Sequence, residues 1–325
     1  MTRYCKAILL LGCICCLLTP AAAQSPPVAP REIGGVTISG SLRTRVESWD
    51  WFSGNADSSY TYPGSILRLS LAESKKKFDW QLEFALPFLL VDRFAPLWAF
   101  LILGPFLLKV TFAWRALEEH ALAVEAAVQE DIGKGRAAAG MMVSRDTGAL
   151  TPEEILSAAC ESLSENLVDS IAAPFLFFAA FSPFGLGLAA AAFYRASNTM
   201  DAMLGYRDQR GRIGWFPARL DDILTWVPAR VTGLLLLAYF AAIGRFGPAL
   251  AGLRKDAGKR PGLNGGIPMA IIAGGTGVRF QKPGVYTMGP GEKGLAEGTG
   301  EIVRTVRAVT LLLSAILITA LFLWA

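Results

Sequence analysis

The chain has one histidine, His120, and five cysteines among its 325 residues. A single histidine excludes a multi-histidine metal site. His120 also lies in a charged helical stretch, residues 115–125, which favours a surface residue over a member of a catalytic triad. Four cysteines fall in the first 16 residues and Cys160 stands alone, which leaves neither a disulfide framework nor zinc-ligand spacing. The net charge is only +4, with basic and acidic residues intermixed, so we expect no nucleic acid partner.

Charged residues are also scarce, at 18%, whereas 53% of the side chains are hydrophobic, more than the roughly 45–50% of soluble domains. This composition argues against an ordinary cytosolic enzyme. The first residues combine basic Arg3 and Lys6, an apolar run over 7–18 and small residues ending at Ala23. This order predicts a signal peptide over residues 1–23. An uncleaved membrane helix is the alternative, although the run is shorter than the ~20 residues a span needs.

The predicted β-strand segment covers residues 24–92. It begins with a proline-rich linker over 24–31, and from Val36 to Leu86 its hydrophobicity alternates with a period of two, which predicts β-strands. Leu42, Thr44 and Val46 would share one face of the first strand, opposite Arg43 and Arg45. After a signal peptide, this pattern resembles the opening strands of an outer-membrane porin or alginate-export barrel. A soluble antiparallel sheet with one wet face is the alternative. About three strands precede Pro87, too few to close a barrel, so the segment cannot form a pore alone.

Residues 93–325 change to long apolar runs separated by charged stretches, which predicts a polytopic helical membrane domain. The runs are Phe94–Leu108, Ile171–Tyr194, Val231–Gly244 with a continuation to Leu253, and Ala308–Ala325; such lengths bracket the ~17–25 residues of a transmembrane helix. The fold class is therefore mainly α, with a short N-terminal antiparallel β segment.

The second apolar run is interrupted by Ser182–Gly185, and each half is too short to cross a bilayer alone. We expect a re-entrant helical hairpin. Such a hairpin would return the polar segments 161–169 and 198–222 to the same side of the membrane.

Three carboxylates precede this hairpin on one predicted helix, which starts with a capping box at Thr151 and Glu154. Glu161, Glu165 and Asp169 are spaced four apart, so they form one acidic stripe beside an apolar region, where unpaired charge is costly. The stripe predicts a Mg²⁺ or nucleotide-phosphate site, or ion pairs with arginines such as Arg219 and Arg230. A solvated acidic face is the alternative.

Two further segments combine amides, carboxylates and arginines. Asn198 and Asp201 stand three apart, and Arg219, Asp221 and Asp222 are followed by Arg230. Oxygen ligands of this kind suit a hard cation, and the same residues suit plain salt bridges.

In order and spacing, these segments resemble the signature blocks of the CobD/CbiB family of membrane-bound cobalamin-biosynthesis proteins over residues 97–325. The resembling blocks are 144–147, 161–170 with Ala173-Pro174, Tyr194-Arg195 with 198–206, 218–222 with 228–230, and the glycine-rich C-terminal region from Asn264 through 273–275 and 284–286.

The resemblance implies an inner-membrane, multi-pass ligase of the adenosylcobinamide-phosphate synthase type. Such an enzyme attaches aminopropanol, or its phosphate, to the corrinoid adenosylcobyric acid, with ATP and Mg²⁺ as implied cofactors and the lipid bilayer as its surroundings. It also implies roles for individual residues. The implied catalytic residues are Glu165, Asn166, Asp169, Asn198 and Asp201; the substrate- or phosphate-binding residues are Arg145, Arg219, Arg230 and Asn264; and the metal ligands are Asp221 and Asp222, with Glu165, Asp169 and Asp201 as further metal candidates.

Other features qualify this prediction. The family's usual N-terminal Gly-Asp-Pro and His-Pro elements do not occur here, and the strand-like head precedes the helical part, with a join between Leu86 and Leu97. The alternatives to the ligase are a degenerate or fused non-catalytic membrane protein and an outer-membrane channel fragment. The segment 273–277 lacks the Gly-Lys-Ser/Thr of a phosphate loop, which favours a glycine-rich helix contact or turn.

Overall fold

A computed structural model of the chain describes residues 31–33, 36–50, 59–75, 78–84, 86–204 and 211–324. The predicted signal peptide, like Gly205 and Tyr206, lies outside the described residues. The chain divides into two compact units, Met1–Leu86 and Pro87–Ala325, which are described separately. The predicted domain limits at residues 23 and 92 stay predictions.

The N-terminal unit contains an antiparallel sheet with strand order β1-β2-β3-β4. Its strands are β1 (Arg31–Ile33), β2 (Val36–Asp50), β3 (Ser59–Lys75) and β4 (Phe78–Phe84). Leu42 of β2 lies opposite Leu67 of β3, and Leu69 lies opposite Phe84 of β4. The antiparallel β segment is therefore confirmed, while its resemblance to a barrel stays a prediction.

The second unit is mainly helical, as predicted. Its elements are α1 (Leu86–Phe94), α2 (Leu97–Lys109), α3 (Arg115–Glu130), α4 (Ile132–Met142), α5 (Pro152–Asn166), a π-helical segment (Leu167–Ala172), α6 (Ala173–Phe181), a 3₁₀ turn (Ser182–Phe184), α7 (Gly187–Leu204), α8 (Gly211–Ala242), α9 (Phe246–Asp256), α10 (Gly266–Thr276), β5 (Phe280–Lys282), β6 (Tyr286–Met288) and α11 (Leu295–Trp324).

Three helical stretches are long and apolar enough to cross a membrane: Pro152–Phe184, Gly214–Ala242 and Leu295–Leu323. Their limits correct the predicted runs, because polar residues extend these helices beyond their apolar parts. The first predicted run is only the short helix α2, of 13 residues. The third run does not continue to Leu253, since the chain turns at Gly244, whose φ is 75°, before α9 begins.

The interrupted apolar run forms a helical hairpin, as predicted. Helices α6 and α7 pack together, with the rings of Phe177 and Tyr194 stacked 5.2 Å apart. Gly185, with φ 63°, makes the left-handed turn between them. The carboxylate of Asp92 accepts hydrogen bonds from the N–H groups of Leu188 and Ala189 at the start of α7, at 3.2 and 2.8 Å. Whether the hairpin re-enters a membrane stays a prediction.

The core joins α5 and the π segment to α8, α10 and α11 through buried apolar side chains such as Leu163, Phe240, Ile271 and Val306. The glycine-rich segment 273–277 contributes to a contact between helices, as the sequence favoured, and does not form a phosphate loop. A Cβ atom on Gly274 would lie 2.5 Å from the carbonyl oxygen of Pro248 and 3.0 Å from the Cα of Gly252. Only glycine therefore permits α9 and α10 to approach so closely.

Candidate active site

A cavity of about 470 Å³ lies among the helices of the second unit. We call it the central cavity. It is enclosed by the loop after α4, by α5 and the π segment, by α7, by the loop after α9, and by β5. Its lining is dominated by charged and amide side chains, which are Arg145, Glu161, Glu165, Asn166, Asp169, Asn198, Asp201, Arg260 and Lys282.

The acidic stripe of α5 faces this cavity with all three of its carboxylates. The helix begins as predicted, because Thr151 and Glu154 form a capping box. Asp169 lies in the π-helical segment that interrupts the long apolar helix. Such segments are rare and occur frequently at functional sites. The helical hairpin then brings Asn198 and Asp201 of α7 to the same cavity.

Glu161 is the most enclosed of these carboxylates, with a side chain only 3% exposed. Its Oε2 accepts hydrogen bonds from Nη2 of Arg145 at 2.7 Å and from the hydroxyl of Tyr286 at 2.6 Å. Its Oε1 accepts from Oγ of Ser157 at 2.6 Å. Burial raises the pKa of Tyr286, and the neighbouring charge of Glu161 raises it further. Glu161 is thus satisfied by groups from three segments.

Glu165 forms an ion pair with Arg260, which lies in the loop after α9. The stripe therefore forms ion pairs with arginines, as the prediction allowed, but among the described residues the partners are Arg145 and Arg260, so the named partners Arg219 and Arg230 were wrong. Arg260 stands 95 residues from Glu165, and no local pattern links the two positions. Within its own loop, Nη1 of Arg260 donates a hydrogen bond to the carbonyl of Pro261.

The amides of the cavity are oriented by a hydrogen-bonded chain across the hairpin. Nη1 of Arg195 donates to Oδ1 of Asn198 at 3.2 Å and to Oγ of Ser170 at 3.1 Å. Ser170 in turn donates to Oδ1 of Asn166 at 2.6 Å, and Nδ2 of Asn166 donates to the carbonyl of Ser162 at 2.9 Å. Both predicted asparagines therefore have fixed orientations.

Asp169 and Asp201 differ from the other carboxylates, since neither has a hydrogen bond or ion pair with any described residue. Burial raises the pKa of Asp201, and the charges of Asp222 and Glu165 raise it further, although Arg260 acts in the opposite direction. Lys282 likewise has no acceptor among the described residues. Apart from the two ion pairs, the central cavity therefore contains one cation and two carboxylates that have no partner within the described part of the chain.

Three of the remaining predicted residues, Asp222, Arg230 and Asn264, lie with Trp226 and Leu263 at a different surface, which we call the Arg230 cluster. Nη1 of Arg230 donates to Oδ1 of Asn264 at 2.6 Å, and its guanidinium lies 4.4 Å from the ring centroid of Trp226. Nδ2 of Asn264 donates to the carbonyl of Asp222 at 2.8 Å. Arg219 lies 4.0 Å from the Asp222 carboxylate. None of these residues lines the central cavity.

Asp221 is buried beside the cavity without lining it. Its Oδ1 accepts from Nδ2 of Asn198 at 3.2 Å, whereas the neighbouring Asp222 belongs to the Arg230 cluster. The two predicted metal ligands therefore face different surroundings. Within the described part of the chain, no group of three or more histidine, cysteine, aspartate or glutamate side chains could hold a metal ion.

An all-protein Mg²⁺ cage therefore does not fit these residues. Mg²⁺ usually keeps several waters and binds through one or two carboxylates together with substrate phosphates. Asp169 and Asp201, which have no other described partner, suit that second arrangement. A metal would then arrive with a phosphorylated substrate.

Sequence reasoning found six of the cavity-lining residues: Arg145, Glu165, Asn166, Asp169, Asn198 and Asp201. It missed Arg260 and Lys282 as site residues, and it named Glu161 only as part of the acidic stripe. Lys282 lies two residues before Gly284, where a block singled out for its glycines begins. The block was a usable signal for Lys282, whereas Arg260 had none.

The helical unit is similar to the proteins of one known family. A family model described as "CobD/Cbib protein" matches residues 80–312, and thus begins earlier than the predicted residue 97. "Probable cobalamin biosynthesis protein CobD" of Methanothermobacter thermautotrophicus is 43% identical over 209 residues, which cover 63% of this chain and 68% of that protein.

Two further relatives carry the same printed name. The protein of Thermococcus kodakarensis is 40% identical over 245 residues, covering 75% of this chain and 76% of the relative. The protein of Methanothrix thermoacetophila is 41% identical over 189 residues, covering 58% and 59% of the two chains. The match to this last relative thus leaves about two fifths of its length uncovered. No solved structure matches the chain.

Proposed function

This chain belongs to the CobD/CbiB family, and from that premise we propose that it acts in cobalamin biosynthesis as an amide-forming ligase of an inner, cytoplasmic membrane. It would join aminopropanol, or its phosphate, to a propionate carboxyl group of adenosylcobyric acid. The product would be adenosylcobinamide or its phosphate.

The observation that carries the proposal is the central cavity. Side chains from separated segments meet there, with Asp169, Asp201 and Lys282 lacking described partners. Unpaired charges next to an apolar helix bundle are costly unless a ligand compensates them. A ligand with an anionic and a cationic part would do so, and both an aminoalkyl phosphate and a Mg²⁺-bound nucleotide have this character.

The chemistry of amide formation supports a role for ATP in the proposed reaction. A free carboxylate is a poor acyl donor, so transfer of the γ-phosphoryl group to the propionate oxygen would give an acyl phosphate and ADP. Attack by the amine on the acyl carbon would then form the C–N bond and release phosphate. Mg²⁺, if bound with the nucleotide, would neutralise charge on the phosphoryl oxygens.

The residues of the cavity suit distinct parts of this reaction. Arg145, Arg260 and Lys282 would hold phosphoryl or carboxylate oxygens, which arginine can bind in a bidentate manner. Asn166 and Asn198 would orient substrate polar groups through their fixed amides. Asp169 and Asp201 would bind the metal or the substrate ammonium group, and Asp201, with its raised pKa, is suited to accept the proton that the amine loses.

The proposal is tested by incubating the purified full chain with adenosylcobyric acid, Mg²⁺-ATP and either aminopropanol or its phosphate. We expect mass spectrometry to detect the amide product together with equal amounts of ADP and phosphate. The same chain should rescue a strain that lacks the ligase, whereas Glu165→Gln and Asp169→Asn should not.

Glu297→Gln is the matched control, because Glu297 is exposed on α11 away from the cavity. A folded chain that yields no product and rescues nothing would contradict the ligase, and would favour a non-catalytic relative. Full rescue by both cavity variants would contradict the assignment of the site.

A further inference from the structure

Lys282 occupies a rigid position on the cavity wall. It ends β5, where it lies opposite Tyr286 of β6. Buried Phe280 and Met288 anchor this two-stranded hairpin in the core. Oγ of Ser157 on α5 accepts a hydrogen bond of 2.6 Å from the N–H group of Gln281, next to Lys282. The backbone of Lys282 is therefore fixed relative to the acidic stripe, although its ammonium group has no described acceptor.

Arg145, on the same cavity wall, also has a hydrogen-bond donor without an acceptor. Glu161 holds its Nη2, while Nη1 is buried and has no hydrogen-bond partner. A buried guanidinium nitrogen without an acceptor costs free energy. The shared contact of Glu161 with Tyr286 also ties Arg145 to the hairpin that carries Lys282. The ammonium group of Lys282 and Nη1 of Arg145, which both lack a described acceptor, are thus held by one hydrogen-bonded framework.

Two arginines of the helical unit, Arg260 and Arg230, already have described acceptors. Arg260 is paired with Glu165, and Arg230 donates to Asn264 and to the carbonyl of Leu263. The acceptors that Lys282 and Arg145 lack must come from outside the described residues. Three-oxygen phosphoryl groups provide acceptors for both an ammonium and a guanidinium group.

We propose that Lys282 and Arg145 form an oxyanion subsite of the central cavity that binds a substrate phosphoryl group. This inference rests on the proposed ligase function for its kinetic test, but its binding test does not. The phosphoryl group could belong to the nucleotide or to a phosphorylated amine, which share this chemistry. Asp169 and Asp201 would then face the cationic part of the same ligand.

The kinetic test compares Lys282→Met with Lys255→Met in the full chain. Met retains the apolar stem and removes the charge, and Lys255 is an exposed lysine of α9 away from the cavity. Loss of one charge-assisted hydrogen bond, worth about 1.5–3 kcal/mol, should raise the KM of the phosphorylated substrate about tenfold or more. The kcat should fall less, and Lys255→Met should change neither constant.

Separate titrations identify the source of the phosphoryl group. A raised KM for ATP alone would assign the subsite to the nucleotide. A raised KM for aminopropanol phosphate, with no change for unphosphorylated aminopropanol, would assign it to the amine. Unchanged KM values for all substrates would overturn the subsite.

The binding test requires no turnover. The wild-type full chain is treated with an amine-modifying reagent, with and without inorganic pyrophosphate, and the labelling rates of Lys282 and Lys255 are read by mass spectrometry. Pyrophosphate should slow labelling of Lys282 at least several-fold and leave Lys255 unchanged, and Arg145→Gln should weaken this protection. Protection in a chain without ligase activity would support the subsite while refuting the proposed function. If pyrophosphate leaves the labelling rates of both lysines unchanged, the subsite is refuted even in an active enzyme.

Discussion

The central cavity and the Arg230 cluster contain similar residue types but differ in how completely their polar groups are satisfied. In the Arg230 cluster, the side chains of Arg230 and Asn264 hydrogen-bond to each other, Asn264 also donates to the carbonyl of Asp222, and Arg230 stacks on Trp226. In the central cavity, Asp169, Asp201 and Lys282 lack partners among the described residues. Satisfied networks stabilise a fold, whereas unsatisfied charges indicate where a ligand binds. The comparison therefore supports the proposal that the ligand binds in the cavity, and it predicts a structural role for the cluster.

The comparison is tested most strongly by Asp201→Asn. This change keeps the side-chain shape but removes a charge that would bind the ammonium group or metal, or accept a proton. Because such a group contributes about 10²–10⁴ in rate, we expect kcat to fall at least about a hundredfold. Steady-state kinetics of the purified chain measure it. Wild-type turnover in Asp201→Asn would remove the distinction between the two regions.

The second prediction concerns the helix contact that lies outside both regions. Gly274→Ala would place a Cβ 2.5 Å from the carbonyl oxygen of Pro248, so it should destabilise the protein by about 1–3 kcal/mol. Denaturant unfolding in detergent measures the loss. Gly247→Ala on α9 is the control, because its Cβ would meet no atom within 4 Å. Equal stability of the two variants would show that α9 and α10 are not closely packed. Substrate KM should stay unchanged in both, which separates loss of stability from loss of binding.

The third prediction sharpens the comparison from the side of the Arg230 cluster. Arg230→Ala should reduce the free energy of unfolding by about 1–2 kcal/mol, because it leaves the buried Oδ1 of Asn264 without its donor. The same denaturant unfolding experiment applies, with turnover normalised to folded protein. Arg230→Lys should recover only part of the loss, since lysine cannot donate in a fork. A large rise in substrate KM with normal stability would instead give this cluster the substrate-binding role that the family resemblance implies.

The smallest effect is a pH dependence of stability caused by Asp201. Its raised pKa means that the folded state binds a proton more tightly than the unfolded state. The favourable contribution is complete below the unfolded pKa, near 3.8, and is lost as pH rises through the higher folded pKa. Asp201→Asn should therefore be relatively more stable than wild type at neutral pH, with the difference shrinking in acid. Unfolding free energies across this pH range measure it, and a difference that grows in acid would contradict the assigned direction.

Local patterns predicted much of this architecture. The period-two alternation gave the antiparallel strands, the Ser182–Gly185 interruption gave the hairpin, and Thr151 with Glu154 gave the start of α5. These features depend on neighbouring residues, which a single sequence displays. The spacing of Glu161, Glu165 and Asp169 likewise predicted one acidic stripe, and all three line the cavity.

Contacts between residues that lie far apart in the sequence were harder to predict. Nothing near Glu165 indicates that Arg260 is its partner, and nothing near Glu161 selects Tyr286, 125 residues away. The π-helical segment at Asp169 also has no local sequence signal. Adjacent Asp221 and Asp222 were grouped as one metal pair, but consecutive helix residues point about 100° apart, and here they belong to different surroundings.

The most direct test of the account is a structure of the full chain bound to Mg²⁺ with a non-hydrolysable ATP analogue and aminopropanol phosphate. The account predicts phosphoryl oxygens in the central cavity within about 3 Å of the Lys282 ammonium group, and a cationic ligand group beside Asp169 and Asp201. Ligands bound instead at Arg219, Trp226 and Arg230, with the central cavity empty, would contradict it.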